Sequence, residues 1–408
     1  MNMQLFPITS SAGVLATLSG VCAFFFWLEK ATAWRLFQFL PTLIFMYLVP
    51  VILMNVGVLP AKSPVYDVIQ SVLLPMLLTL LLLNLNVAGA VRVMGRGIGV
   101  FLFGSLGVMV GAVTAAAVVH SWLGPEAWKA YGALSGSWIG GSANMAAVSE
   151  MVHISGTEYG LAMLADTTIP YLLWLPILLG SKKFADRFAS FTGAPPNEPE
   201  NPVDAVEAHQ QASVAPTSRD YIFLLCVALM ATWLADSMAT SIVQFLSTWA
   251  TPAVAGGVAE PSPYLEAATW RILLITTFGI GLSFTPLSRI PGSQELGMGL
   301  LFLFVARMGA TAELSRVADQ AVPFLVGGLI MIFIHGAFCV LGARLFHTDM
   351  HTAAIASAAN IGGVASASIV ASYHRRSLVP AGILMALVGY AIGNYCGYIT
   401  ALICRLVM

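Results

Sequence analysis

The sequence predicts an all-α polytopic membrane protein of two homologous, inverted repeats that contribute a pair of crossing discontinuous helices. Three observations predict it. The 408 residues are 58% hydrophobic and only 9% charged. Apolar runs of about 20 residues recur from end to end, each long enough to span roughly 30 Å of hydrocarbon. The run Ile139-Gly-Gly-Ser-Ala-Asn-Met-Ala-Ala-Val148 returns 222 residues later as Ile361-Gly-Gly-Val-Ala-Ser-Ala-Ser-Ile-Val370, with five of ten positions identical.

The first apolar segment is 12–29. Met1 to Ser11 lacks the basic flank of a cleavable signal, so this segment reads as a mature helix. Segments 36–57, 66–86, 98–120, 131–151 and 158–181 complete a first repeat, residues 1–181. Residues 182–219 contain Ala194-Pro-Pro-Asn-Glu-Pro-Glu-Asn-Pro202, the composition of a disordered extramembrane linker. The second repeat, 220–408, supplies segments 220–250, 267–286, 296–312, 321–345, 353–373 and 378–404. The same offset pairs Gly57 with Gly279, Ser135 with Ser357, Gly160 with Gly382 and Met163 with Met385 without gaps. Duplication explains a register of that length.

Positive charge addresses the relative direction of the repeats. If all twelve segments cross, the repeats are parallel and the 18 Lys and Arg divide nine to nine. If 220–255, interrupted by Asp236-Ser237, crosses twice or re-enters, the second repeat inverts. A cytoplasmic N-terminus then leaves eleven inside and seven outside. Inversion is the favoured reading.

In hydrocarbon an unpaired backbone group costs several kcal/mol, so a broken helix survives only where protein or a water-filled cavity satisfies it. Gly140, Gly141, Gly362 and Gly363 permit the breaks, and Gly136 adds to the first. Ser137, Ser142, Asn144, Asn360, Ser366 and Ser368 place hydroxyl and amide groups beside them as candidate substrate ligands. Half-helix N-termini suit an anionic group, and freed carbonyls and C-termini a cation. The bland alternative is close packing through small residues.

Asp166 follows the first break by one helix. A membrane carboxylate is expensive unless paired, and reads as functional. With Thr167 and Thr168 beside it, it suits a Na⁺ ligand or a titrating proton carrier; Asn144 and Asn360 are candidate partners in holding the cation. A structural ion pair is the other reading. Val388 stands at its repeat position, so the ion site is asymmetric. Arg307 could neutralise Asp166, attract an anion, or snorkel from a helix end. His335 reads as bonded to a neighbouring helix, and Glu150 and His153 as lying at the water interface.

Cys22, Cys226, Cys339, Cys396 and Cys404 all lie in apolar segments and read as packing thiols, not a disulfide set or a metal site. No basic tract suggests nucleic acid, and no His-Glu-x-x-His, nucleotide loop or Gly-x-Ser-x-Gly occurs. An enzyme is therefore not expected, nor any cofactor beyond possible Na⁺.

Gly136-Ser-Trp-Ile-Gly-Gly-Ser-Ala-Asn144, Ser357-Ala-Ala-Asn-Ile-Gly-Gly-Val-Ala-Ser366 and Leu387-Val-Gly-Tyr-Ala-Ile-Gly-Asn-Tyr395 resemble the YjcL-like family of uncharacterised bacterial and plastid membrane proteins over nearly the whole chain. That family is similar to the cation–proton antiporter and anion transporter superfamily, which includes bile-acid-type sodium symporters. The resemblance implies inverted repeats, two crossing broken helices, a scaffold with a moving core, a homodimer, and ion coupling near the crossing, with the carboxylate where Asp166 falls. The second motif of such proteins commonly carries Pro and Thr where this chain has Val364 and Ser366, so here the second break rests on Gly362 and Gly363 alone.

The expected function is secondary active transport of a small organic or anionic solute coupled to Na⁺ or H⁺, by an elevator-type cycle, in a bacterial inner membrane. The alternatives are a monovalent cation–proton antiporter and, in another class, a membrane scaffold or regulatory subunit. A scaffold has no need of matched helix breaks.

Overall fold

The computed structural model describes residues 7–32, 34, 37, 41–85, 87–194, 215–249 and 266–408. Among them there is no β-strand. The first half contributes α1 (Ser11–Thr32), α2 (Thr42–Asn55), α3 (Pro64–Leu83), α4 (Val87–Met94), α5 (Gly97–Val119), α6 (Ala127–Gly140), α7 (Ser142–Met151) and α8 (Gly156–Thr192). The second contributes α9 (Ser218–Trp249), α10 (Ala267–Ser283), α11 (Ser293–Gly309), α12 (Leu314–Phe346), α13 (Met350–His374) and α14 (Val379–Val407). Eight helices among the described residues are long and apolar enough to cross a membrane. Several start on local capping. Ser63 accepts from the Val65 N–H with Pro64 at the first helical position, Ser155 accepts from Thr157, and Asp349 accepts from Thr352 at 2.8 Å.

Two elements depart from expectation. The helix α9 runs unbroken through Asp236-Ser237, so it neither crosses twice nor re-enters. Ser237 returns its hydroxyl to the Trp233 carbonyl at 2.9 Å, satisfying a polar group that the sequence presented as a breaker. Secondly, α8 extends to Thr192, where Gly193 ends it at φ 68°, so the start of the stretch read as linker is helical. Residues 195–214, the centre of that stretch, lie outside the described residues, as do 250–265.

Both Gly-Gly runs break their helices, at Gly141 (φ 81°, ψ 174°) and Gly363 (φ 59°, ψ −149°). These backbone angles favour glycine, and the two residues are 222 apart. The broken segments do not cross, however; each doubles back. Lys129 Nζ donates to the His153 carbonyl at 3.3 Å, whereas a straight helix would separate those residues by roughly 36 Å. Gly136 lies against the Asn144 backbone and the Val148 side chain. In α13, Asp349 and Arg375 pair at 3.7 Å and the His351 and His374 rings meet at 3.0 Å. The two segments are therefore helical hairpins: hairpin 1, α6 and α7, and hairpin 2, the two legs of α13. The physical reason is the sharp reversal that a positive φ at one glycine allows. Hairpin 1 tolerates it because nearly all of 127–151 is buried in protein.

The hairpins insert from opposite ends. In α14, Arg405 stacks on Trp128, Gly397 meets Gly136, and Gly389 meets the Ile139 carbonyl, so α14 descends from the tip of hairpin 1 to its mouth. Gly382, near the other end of α14, lies against Ile355 and Ala367 of hairpin 2. Helices matched by the 222-residue offset run in opposite senses. α5 and α12 pack antiparallel through Gly111 on Met331, Gly107 on Phe338 and Gly99 on Phe346.

Packing divides the molecule into two interleaved groups. α1, α2, α3, α9, α10 and α11 form a frame, and α5–α8 with α12–α14 form a body that contains both hairpins. Each sequence half supplies three frame helices. The unit of packing is therefore not the unit of sequence.

Candidate functional site

Gly140 and Gly389 approach so closely that a Cβ on Gly140 would strike the Gly389 carbonyl and the Asn144 amide. This contact presses the tip of hairpin 1 onto α14. Asn144 is buried and donates to the Gly140 carbonyl at 2.7 Å and the Gly389 carbonyl at 3.4 Å. It thereby satisfies the Gly140 carbonyl, which the break leaves unpaired, and ties the tip to α14 through the Gly389 carbonyl. One residue on from Gly389, Tyr390 touches both breaks: its ring lies 3.0 Å from where a Cβ of Gly141 would stand, and its hydroxyl 3.9 Å from that of Gly363. The two tips are thus separated by one aromatic ring. Tyr390, like Ile280 of the frame, also packs against the cluster that contains Leu82 and Leu85.

Asn144 and Asn360, expected to meet, bind different helices. Asn360 is fully buried in hairpin 2 and donates to Ser105 of α5 at 2.9 Å, and its Oδ1 has no hydrogen-bond partner. One turn earlier, Ser357 anchors a polar chain. Trp174 donates its indole N–H to Ser357 Oγ, which lies 2.9 Å from His335 Nε2, and His335 Nδ1 lies 2.9 Å from the Gly104 carbonyl. A carbonyl only accepts, so Nδ1 carries the proton, and in the neutral ring Nε2 accepts from Ser357. The expectation that His335 serves a neighbouring helix holds.

Asp166 and Ser137 are brought together: Ser137 donates to Asp166 Oδ1 at 2.8 Å. Ser137 lies one turn before the Gly141 break, so the carboxylate sits beneath the tip of hairpin 1. The Trp138 indole lies beside it, and the Tyr159 hydroxyl, one of the buried groups without a hydrogen-bond partner, is on the same helix. Thr167 turns away from this duty, returning its hydroxyl to the Met163 carbonyl at 2.8 Å. Ser368 does the same to Val364. Ser366, buried, faces Gly362 and Tyr171, and Ser142 opens the second leg of hairpin 1 at the tip. Just past Asp166, α8 widens into a π turn at Pro170–Trp174, and a small cavity there is lined by Pro170, Trp174, Gly362 and Ser366. The Tyr390 and Tyr171 contributions escaped sequence reasoning because only tertiary contact distinguishes them from core aromatics.

Arg307 does not pair with Asp166. Its guanidinium donates to Gln70 of α3, and Gln70 donates to Glu150 at the foot of hairpin 1. Glu150, expected at the water interface, is 5% exposed and pairs with Arg271 at 2.8 Å. Among the described residues, no Lys, Arg or His pairs with Asp166.

A family profile described as "Protein of unknown function (DUF819)" matches residues 16–407. The uncharacterized membrane protein YjcL of Bacillus subtilis (strain 168) is 28% identical over 348 residues, 84% of each chain. A match over almost the full length makes this chain a member of the DUF819 family, and its relative YjcL is a membrane protein.

Proposed function

We propose that the protein is a secondary transporter of a small organic or anionic solute, coupled to Na⁺ or H⁺ through Asp166, in which the body moves against the frame. One observation carries the reading: two glycine-broken hairpins insert from opposite ends and their tips come within one ring of each other, beside a carboxylate that pairs with no cationic side chain among the described residues. A broken helix pair at mid-depth is how inverted-repeat transporters expose backbone dipoles to solute and ion. The leg α7 turns its N-terminal N–H groups toward the tip, as an anionic group requires. Asp166 and Ser137 supply hard oxygens, as a coupling cation requires. The opposite senses of the matched helices support inverted repeats, and with them two arrangements of the body that face opposite sides in turn.

Thermal unfolding of the purified protein with a panel of small carboxylates, in NaCl and in choline chloride, tests this. Ligand at 100 times its Kd stabilises the fold by about 2.7 kcal/mol. Stabilisation by a solute that requires Na⁺, or that rises as pH falls in choline, supports symport; no response to any solute in either salt counts against it. That Asp166 pairs with no cationic side chain among the described residues also supports a second reading, monovalent cation–proton antiport. Discharge of a pH gradient by Na⁺ or K⁺ in proteoliposomes without solute identifies it.

A further inference from the structure

We propose that Glu150 is an ionic latch that holds the body against the frame at the mouth of hairpin 1 and so favours one of the two arrangements that the inverted repeat makes available. Glu150 belongs to the body, at the end of α7. Its partners belong to the frame: Arg271 of α10 at 2.8 Å, and Gln70 of α3, which in turn holds Arg307 of α11. Thr269 of α10 adds a bond to the Met151 carbonyl at 3.2 Å, and His153 pairs with Glu266 at 2.6 Å. The Glu150 carboxylate is 4% exposed and the Arg271 side chain 14%. A buried pair of this kind resists separation because the Glu150 carboxylate would lose its charged partner in a poorly solvated place.

Two features make it a latch instead of permanent glue. Arg271 has a second partner, Asp236 of α9 at 3.2 Å, which is 58% exposed and stays with the frame. When Glu150 leaves, Arg271 remains paired. The cluster is also absent from the other repeat. The positions equivalent to Glu150, Arg271, Gln70 and Arg307 are Ser372, Val49, Gly292 and Leu85. In a symmetric inverted repeat, the arrangements facing the two sides would be mirror partners of similar energy. Among the described residues the ion pairs between body and frame lie at this end, whereas Asp349 and Arg375 at the other mouth pair within hairpin 2, and that asymmetry biases the balance.

The inference rests on the reading that the body moves, but its test needs no solute, so a failed transport assay leaves it standing. Met151→Cys and Thr269→Cys place thiols on either side of the body–frame seam, in a chain whose exposed Cys226 is replaced by Ser. Oxidative cross-linking in membranes then reports how often the seam is closed. With Glu150→Gln, the rate is expected to fall about fivefold or more. The swap Glu150→Arg with Arg271→Glu is expected to restore it. An unchanged rate in Glu150→Gln protein that elutes as a folded species overturns the latch. If Glu150→Gln does not fold, Arg271→Lys keeps the charge but shortens its reach; a reduced rate there supports the latch and the parental rate overturns it.

Discussion

At the residue scale, the proposed site rests on one hydrogen bond to Asp166. Ser137 holds one oxygen at 2.8 Å, and in the proposed coupling the second is the one a cation would take. Ser137→Ala removes a bond to a charged group, worth about 1.5–3 kcal/mol. If Na⁺ is the coupling ion, its apparent affinity, read from Na⁺-dependent melting, should fall roughly tenfold or more. Asp166→Asn should abolish that dependence while leaving the fold intact. Melting in which both variants respond to Na⁺ as the parent does would remove Asp166 from the site. At Gly140 the issue is space. Gly140→Ala places a methyl against the Gly389 carbonyl, which is backbone and cannot rotate away. Overpacking of this kind costs about 1–3 kcal/mol, whereas Gly281→Ala meets nothing within 4 Å. Heating followed by size-exclusion chromatography should show a loss of folded protein for the first and none for the second. The glycines were legible in the sequence. Tyr390 was not, because no local pattern says that a tyrosine on α14 will lie between two breaks 222 residues apart.

At the scale of the element, sequence located both breaks to their Gly-Gly pairs but misjudged their angle. A Gly-Gly pair permits reversal and a mild kink alike, and only the contacts that close on the two legs decide between them. In hairpin 2 those contacts are Asp349 with Arg375 and His351 with His374. Asp349→Cys with Arg375→Cys should therefore form an intrachain disulfide readily under oxidation, seen as altered mobility after cleavage between the legs. A crossing helix would hold those positions roughly 39 Å apart and give none. The helix α9 teaches the converse. Asp236 and Ser237 look like a break in isolation, yet Ser237 bonds within the helix and Asp236 reaches Arg271 on the neighbouring one.

For the whole molecule, the hairpins decide the topology. Neither hairpin segment crosses, and the matched helices α5 and α12 run in opposite senses, as they would if the second half began on the side opposite to the first. The proposed inversion rests on those opposite senses and not on a double crossing in 220–255, since α9 runs unbroken through Asp236-Ser237. Labelling with a membrane-impermeant maleimide should reach His153→Cys and Arg376→Cys, at the two hairpin mouths, from opposite faces of the membrane. Labelling of both from one face would make the repeats parallel.

Composition by itself determined that this chain lives in a membrane as helices, because hydrocarbon leaves buried apolar stretches no other stable backbone. The duplicated motif by itself determined where two helices break, because only glycine takes those angles at no steric cost. Tertiary structure alone decided that the broken segments turn back, that Asn144 and Asn360 serve separate helices, and that Arg307 answers to Gln70 and not to Asp166. Each of those depends on what packs beside a residue from the other half of the chain, and the local sequence carries no record of that neighbour.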